Sequence, residues 1–568
     1  MEGFQRVRTW WTESLFRGRD KPRTDEPRRW FRWSLMLGLL GMTAMLFLSR
    51  LDHPLLEPEE GRYAEIPRQM LAEGRFLTPV LHGEDYLQKP PLLYWLVMLN
   101  YQIFGVHDWA ARLVPCLAGI ASVMLVTLWA RRTMGFWTGL VSGAILALSG
   151  RFLYIAGMLN MDGVLCACVV AALASVHLAI ASQTNRWRWI IASSVACAIG
   201  VLTKGPVAIV LVAVPLIALA LLDRRVKVLS LLESAAYGGI VVGVAAPWYA
   251  YMAINDSEAA GTFVWLHNLQ RYLAPFDHEK PTWYYLPSLF LGMMPWTLLA
   301  IPLARYLWQR TQAAQRRRPA ALGFAILAFA WCVLFFSLSG CKRPAYVLPA
   351  FPLGAIVLAT CLTHAFPWRH WMRNGYRLHA AGHGWARALL VATLGLGAFL
   401  GAAAAIVELW PWQAAVATAF CLGGVWFLFG FPARAKPVWM SWAGSTVLAF
   451  LVLILAQRTL LPGYHDRFGV RRQAAICAEY EQEDLPILTY PKRWDSVSFY
   501  TQRGDVASYA PADLAQLHHD LRRHGKAIIF VRRDGSLNEL RQALPDSMRL
   551  EVIGHRQDFI TVALVRAR

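Results

Sequence analysis

Acidic residues are scarce in this chain: 36 Asp and Glu face 56 Lys and Arg among 568 residues, a formal charge of +20. Such an excess would suit a nucleic-acid binder, but the cations lie in short loops between apolar runs, and that placement excludes the class. The nine Cys show neither CxxC spacing nor a His at zinc-finger distance, which removes a zinc finger or a dithiol site. Cys166 and Cys168, inside an apolar run, read as packing residues. The apolar runs are almost free of ionisable groups and carry no internal hydropathy repeat, which argues against a transporter or lipid flippase. A cleavable signal pattern is also missing, because the first apolar run is long enough to span.

What is present is hydrophobic: 56% of residues, with 25 Trp. Apolar runs of bilayer-crossing length recur about thirteen times. They lie near 33–50, 112–130, 136–157, 162–181, 188–203, 205–222, 229–252, 284–304, 320–339, 345–363, 387–407, 413–430 and 438–456. Arginines crowd the first 32 residues and then alternate loops, such as Arg131-Arg132 and Arg316-Arg317-Arg318. By the positive-inside rule the N-terminus is cytoplasmic and every second loop faces outward. The chain therefore divides into a transmembrane domain, 1–456, and a polar segment, 457–568, on the outer side. Short β-rich runs at 486–490, 527–531 and 559–563 alternate there with helical stretches at 511–524 and 536–543, predicting a small α/β domain. It has no glycine-rich phosphate loop and no catalytic spacing.

Polar residues that a basic stop signal does not explain collect on the outer side. The first outer loop, 51–111, holds Glu59, Glu60, Arg62, Tyr63, Glu65, Glu84, Asp85 and Lys89, and its stretch 61–73 reads as a helix lying in the interface. The next turns add Asp162 and Lys204. The loop 253–283 adds His267, Arg271 and His278, and the last adds Lys342, Arg343 and Tyr346. Each has an ordinary alternative: Lys204 as a snorkelling anchor, Asp162 as a charge on a helix N-terminus. Together they suit a charged lipid substrate. Cations and a Tyr hydroxyl hold a phosphate, while carboxylates orient sugar hydroxyls or an amino group. Glu84 and His267, one carboxylate and one imidazole from two loops, are a candidate structural zinc pair. Catalysis itself would require no cofactor, because a phosphate nucleophile needs no metal-activated water.

Four motifs carry a resemblance. Glu59-Glu60-Gly61-Arg62-Tyr63-Ala64-Glu65 followed by Gln88 to Trp95, then Gly200 to Gly205, His267 to Arg271, and Phe336 to Pro349 with Lys342, Arg343 and Tyr346, resemble the polyprenol-phosphate-dependent GT-C glycosyltransferases. The chain is most similar to the 4-amino-4-deoxy-L-arabinose lipid A transferases (ArnT-type), with protein O-mannosyltransferases as relatives, over about the first 370 residues. The resemblance implies a polytopic α-helical protein of the bacterial inner membrane with its active site facing the periplasm. It implies an inverting transferase that moves aminoarabinose from undecaprenyl phosphate to lipid A phosphates, conferring resistance to polymyxin and cationic antimicrobial peptides. Membrane lipids, the undecaprenyl-phosphate-linked donor and lipid A would be its partners, with no nucleic acid. Glu59, Glu60 and Asp162 would be the catalytic carboxylates. Lys89, Arg271 and Tyr346 would bind the donor phosphate, with Lys342, Arg343 and Lys204 as further candidates, and Arg62 and Tyr63 would line the cavity. The family's usual Asp-Glu pair is Glu59-Glu60 here, so either carboxylate remains open as the working one. Another polyprenyl-phosphate sugar transferase, such as a protein O-mannosyltransferase, would share the fold and donor type.

Overall fold

The computed structural model describes residues 27–182, 185–223, 226–256, 278–309, 318–365, 438–533, 535–545, 547–554 and 558–567, with isolated positions 261, 270, 272 and 395. Its transmembrane part is helical, because an unpaired peptide group inside hydrocarbon costs several kcal/mol and a helix pairs its own. Helix α1 (Arg29–Leu48) leads into α2 (Glu59–Ala72), a hairpin of β1 (Val80–Leu81) and β2 (Glu84–Asp85), and α3 (Leu92–Phe104). Then come α4 (Asp108–Met134), α5 (Phe136–Ala147), α6 (Gly150–Ala156), α7 (Met161–Ala181), α8 (Arg186–Lys204), α9 (Val207–Leu222) and α10 (Leu231–Asn255). After these follow α11 (Tyr285–Gly292), α12 (Ala300–Trp308), α13 (Ala321–Leu338), α14 (Ala350–Thr360) and α15 (Val438–Phe468).

Among the described residues, six helices are long and apolar enough to cross a membrane, or eight if each of two bent pairs counts as one span. The bends are 69° between α5 and α6 and 104° between the segments Thr282–Gly292 and Trp296–Trp308. The expected spans at 205–222 and 345–363 are shorter apolar helices, and 188–203 is α8. Those at 387–407, apart from position 395, and at 413–430 lie outside the described residues.

Two features of the first outer loop position the site. Helix α2 starts with Glu59 and Glu60 in its first turn, where the helix dipole favours carboxylates. It buries Ala64, Ile66 and Met70 against Tyr94, Val97, Met98 and Tyr101 of α3. The β1–β2 turn places His82 at φ 59° and Gly83 at φ 80°, the two left-handed positions of a type I′ turn.

The C-terminal segment forms the expected α/β domain. Helix α16 (Arg471–Cys477) precedes β3 (Ile487–Tyr490), α17 (Asp495–Thr501), β4 (Ala507–Ser508), α18 (Leu514–His524), β5 (Lys526–Arg532), α19 (Ser536–Ala543), β6 (Met548–Val552) and β7 (Ile560–Ala567). The sheet runs β4-β3-β5-β7-β6, parallel in its first half and antiparallel in its second. Alternate residues of β5 enter two cores, Ile528 and Phe530 on the α16–α17 side, Ala527, Ile529 and Val531 on the α18–α19 side. That is the two-residue period of a strand covered on both faces. Phe499 of α17 lies in the apolar core that α2 and α3 build, so this domain stands on the same side as the acidic loop.

Candidate functional site

Helix ends and loops bring the site together. Glu59 opens α2, and its Oε1 accepts a hydrogen bond from Arg343 Nη1 across 284 positions of sequence. The other arm of Arg343 lies 2.7 Å from His278 Nε2, and Tyr285 donates to the Arg343 carbonyl at 3.1 Å, fixing the loop. Asp162 is the second residue of α7, where the N-cap is Asn160, whose Oδ1 accepts from the backbone of Asp162 at 2.9 Å and of Gly163 at 3.3 Å. Asp162 is therefore free of the capping task, and its Oδ1 takes Lys204 Nζ as partner. Lys204 ends α8 where Gly205, at φ 89°, stops the helix. Its ammonium stands 4.3 Å from the centroid of the Tyr346 ring, a cation–π contact. A mere snorkelling anchor would turn that ammonium to water.

Tyrosines line the same space. Tyr63, one turn after Glu59 on α2, has its ring 6.2 Å from that of Tyr94. Burial, then the neighbouring Tyr86 and the charge of Asp162, push its phenol well above the ordinary tyrosine range, so it remains a neutral donor. Arg62 stands over Tyr86, 6.0 Å from the ring centroid, and donates from Nε to Asp495 of α17 at 3.1 Å.

The remaining expected residues are placed differently. Glu60 is fully buried and faces away from Glu59. Arg112 of α4 grips it at 3.0 and 2.9 Å, and the backbone amides of Leu56 and Leu159 donate at 3.0 and 2.9 Å. Burial alone would raise its carboxyl; the Arg112 guanidinium overrides this and holds it at about 2. Both oxygens are engaged, so Glu60 builds the loop rather than meeting a substrate. Lys342 is buried and its ammonium donates to the carbonyls of Ser339 and, at 3.1 Å, Lys280. It staples two loops already joined by the Glu279–Cys341 bridge. Lys89 is half-buried in the turn before α3. Glu84 is exposed on the hairpin, while Arg271 and His267 lie outside the described residues. Among the described residues no three His, Cys, Asp or Glu side chains group as metal ligands.

Glu57, next to the two acidic residues that open α2, titrates unusually because it is buried against a partner in the sequence-distant C-terminal domain. It follows the interhelical turn, accepts from Ser496 N at 2.6 Å, and is pushed up to about 7 by burial and by nearby Asp495. A free glutamate titrates at 4.5, so between those two values the folded protein binds the extra proton and stability falls as pH rises. One such group contributes at most about 1.4 kcal/mol per pH unit. Glu57→Gln should flatten the pH dependence of thermal melting between the two values and raise the melting temperature at pH 8. An unchanged slope would show that Glu57 does not titrate there.

Residues 56–260 match the family model for dolichyl-phosphate-mannose-protein mannosyltransferase. The undecaprenyl phosphate-alpha-4-amino-4-deoxy-L-arabinose arabinosyl transferase of Edwardsiella ictaluri is 30% identical over 418 residues, 70% of this chain and 72% of that relative. The chain belongs to this transferase family. Its namesake in Aeromonas salmonicida is 28% identical over 544 residues, covering 90% of this chain and 95% of the relative. The crystal structure of ArnT from Cupriavidus metallidurans bound to undecaprenyl phosphate superposes with a TM-score of 0.74 at 20% identity, covering 95% of this chain and 98% of that one. The likeness establishes the expected GT-C fold, a multi-pass helical membrane architecture with a small C-terminal sheet domain.

Proposed function

We propose that the chain transfers 4-amino-4-deoxy-L-arabinose from undecaprenyl phosphate to a phosphate of lipid A, at the periplasmic face of a bacterial inner membrane. The observation that carries this reading is the pair of ion pairs, Glu59–Arg343 and Asp162–Lys204, which four separate segments bring beside Tyr63 and Tyr346. An anionic oxygen of the acceptor phosphate forms a bond to the sugar C1 as the bond from C1 to the donor phosphate oxygen breaks. The bonding electrons leave with undecaprenyl phosphate, and the anomeric configuration inverts. Arg343 and Lys204 are the cations for that leaving phosphate, with Lys89, Arg271 and Tyr346 contributing. Charge grows on the bridging oxygen as the bond breaks, so they favour the transition state over the ground state. Glu59 and Asp162, released from those cations, face the sugar's ammonium and hydroxyls. Family membership and the fold shared with a protein crystallised with undecaprenyl phosphate support the donor class.

Purified protein mixed with the lipid-linked sugar and lipid A in detergent should form the glycosylated acceptor; a flippase would form none. The outward placement has its own test. A cysteine at exposed Gln516 of the C-terminal domain should react with an impermeant thiol reagent in intact spheroplasts. Protection there, with labelling only after lysis, would put the site on the cytoplasmic face.

A further inference from the structure

Contacts from α17 bind the C-terminal domain to the first outer loop around the lead-in and first turns of α2, the β1–β2 turn and the start of α4. Asp495, at the start of α17, is buried and takes Arg62 Nε on Oδ2 at 3.1 Å and His82 Nε2 on Oδ1 at 2.8 Å. Burial would raise this carboxyl, but His82 and Arg62 outweigh it and keep it below the ordinary aspartate range, ionised. The next residue, Ser496, donates its amide to Glu57. Gly61 lets that amide approach: a Cβ there would stand 2.7 Å from Ser496 N and 2.4 Å from Glu57 Oε1. Further along α17, Tyr500 accepts from Leu55 N at 2.8 Å and donates to Asp108 at 2.9 Å.

We infer that the C-terminal domain completes the transfer site, with Asp495 as a positioning residue that holds Arg62 and the first turn of α2 against the sugar cavity. This rests on the reading of Glu59 and Asp162 given above. Helical spacing supplies the link: Arg62 and Tyr63 stand three and four residues after Glu59, on one face of α2. Arg62 is only partly covered and lies over Tyr86, so without Asp495 its long side chain regains rotamer freedom. A guanidinium free to turn could pair with Glu59 or leave the cavity, and a loosened supporting shell is enough to spoil transfer geometry. An interdomain contact away from α2 is available as a control. Arg471 reaches Asp52 at 3.0 Å and Asp108 at 3.1 Å without touching α2.

The test is a double-mutant cycle on the full-length protein, assayed for sugar transfer with the lipid-linked donor. Asp495→Asn should lower kcat roughly 10-fold, the scale of losing an orienting partner. The Asp495→Asn, Arg62→Ala double variant should be no slower than Arg62→Ala alone, within about twofold. Asp495→Glu should restore part of the loss, and Arg471→Ala should lower the melting temperature while kcat stays at the wild-type level. Wild-type kcat in Asp495→Asn, multiplicative losses in the double variant, or activity in all variants that tracks melting temperature would overturn the inference. Failure of the underlying site reading is separable: it would appear as an active Glu59→Gln protein, whatever Asp495 does.

Discussion

Replacing Glu59 by Gln or Asp162 by Asn should abolish sugar transfer, lowering kcat at least about 100- to 1,000-fold, or roughly 3–4 kcal/mol of transition-state stabilisation. Both amides keep the size of the side chain and remove the charge that an ammonium sugar and its developing C1 cation require. Folding should survive both changes. Glu59 and its partner Arg343 are about one-third exposed, and such pairs contribute little to stability. Asp162→Asn leaves the Asn160 cap of α7 in place. Transfer rates at saturating donor, set beside melting temperature in detergent, separate the two effects. Near-normal turnover in either variant would remove that carboxylate from the chemistry.

Glu60 should behave in the opposite way. Glu60→Ala leaves Arg112 fully buried without its carboxylate and two backbone amides without an acceptor. Breaking one side of a buried ion pair costs about 3–5 kcal/mol. The protein should therefore express poorly and melt far below the Glu59→Gln variant. The same pair sets an acid limit. Because the folded Glu60 titrates near 2 rather than 4.5, its contribution is complete above the free value and fades as pH falls towards 2. A Glu60→Ala protein that melts like the wild type but has lost all transfer would reverse the assignment, making Glu60 the working carboxylate.

How far these assignments could be read from the sequence depends on the range of the interaction. The interfacial helix 61–73 and part of the C-terminal domain were legible, since apolar periodicity is local: the run 527–531 is β5 and 536–543 is α19, whereas the short α16, α17 and β4 and the edge strand β6 carried no such pattern. Charge clustering also marked Glu59, Asp162, Lys204 and Arg343, which the fold brings into facing pairs. It could not separate neighbours. Glu59 and Glu60 are adjacent yet point about 100° apart on a helix, so one meets the cavity and the other meets Arg112. Arg112 itself sits inside an apolar run and reads as an ordinary span boundary. Lys342 and Arg343 diverge for a similar reason, set by the Glu279–Cys341 bridge. The link from Asp495 to Arg62 spans 433 positions and joins two domains, so no local pattern announces it.

The central claim is that this chain glycosylates lipid A from a polyprenyl-phosphate donor at the Glu59–Asp162 site. Mass spectrometry of lipid A from cells that lack any endogenous copy, supplied with wild-type or Asp162→Asn protein, tests it most directly. The wild-type protein should add the mass of one or more aminoarabinose units to lipid A, and the Asp162→Asn protein, present at equal level in the membrane, should add none. Unmodified lipid A in cells making both the wild-type protein and the lipid-linked sugar would contradict the account.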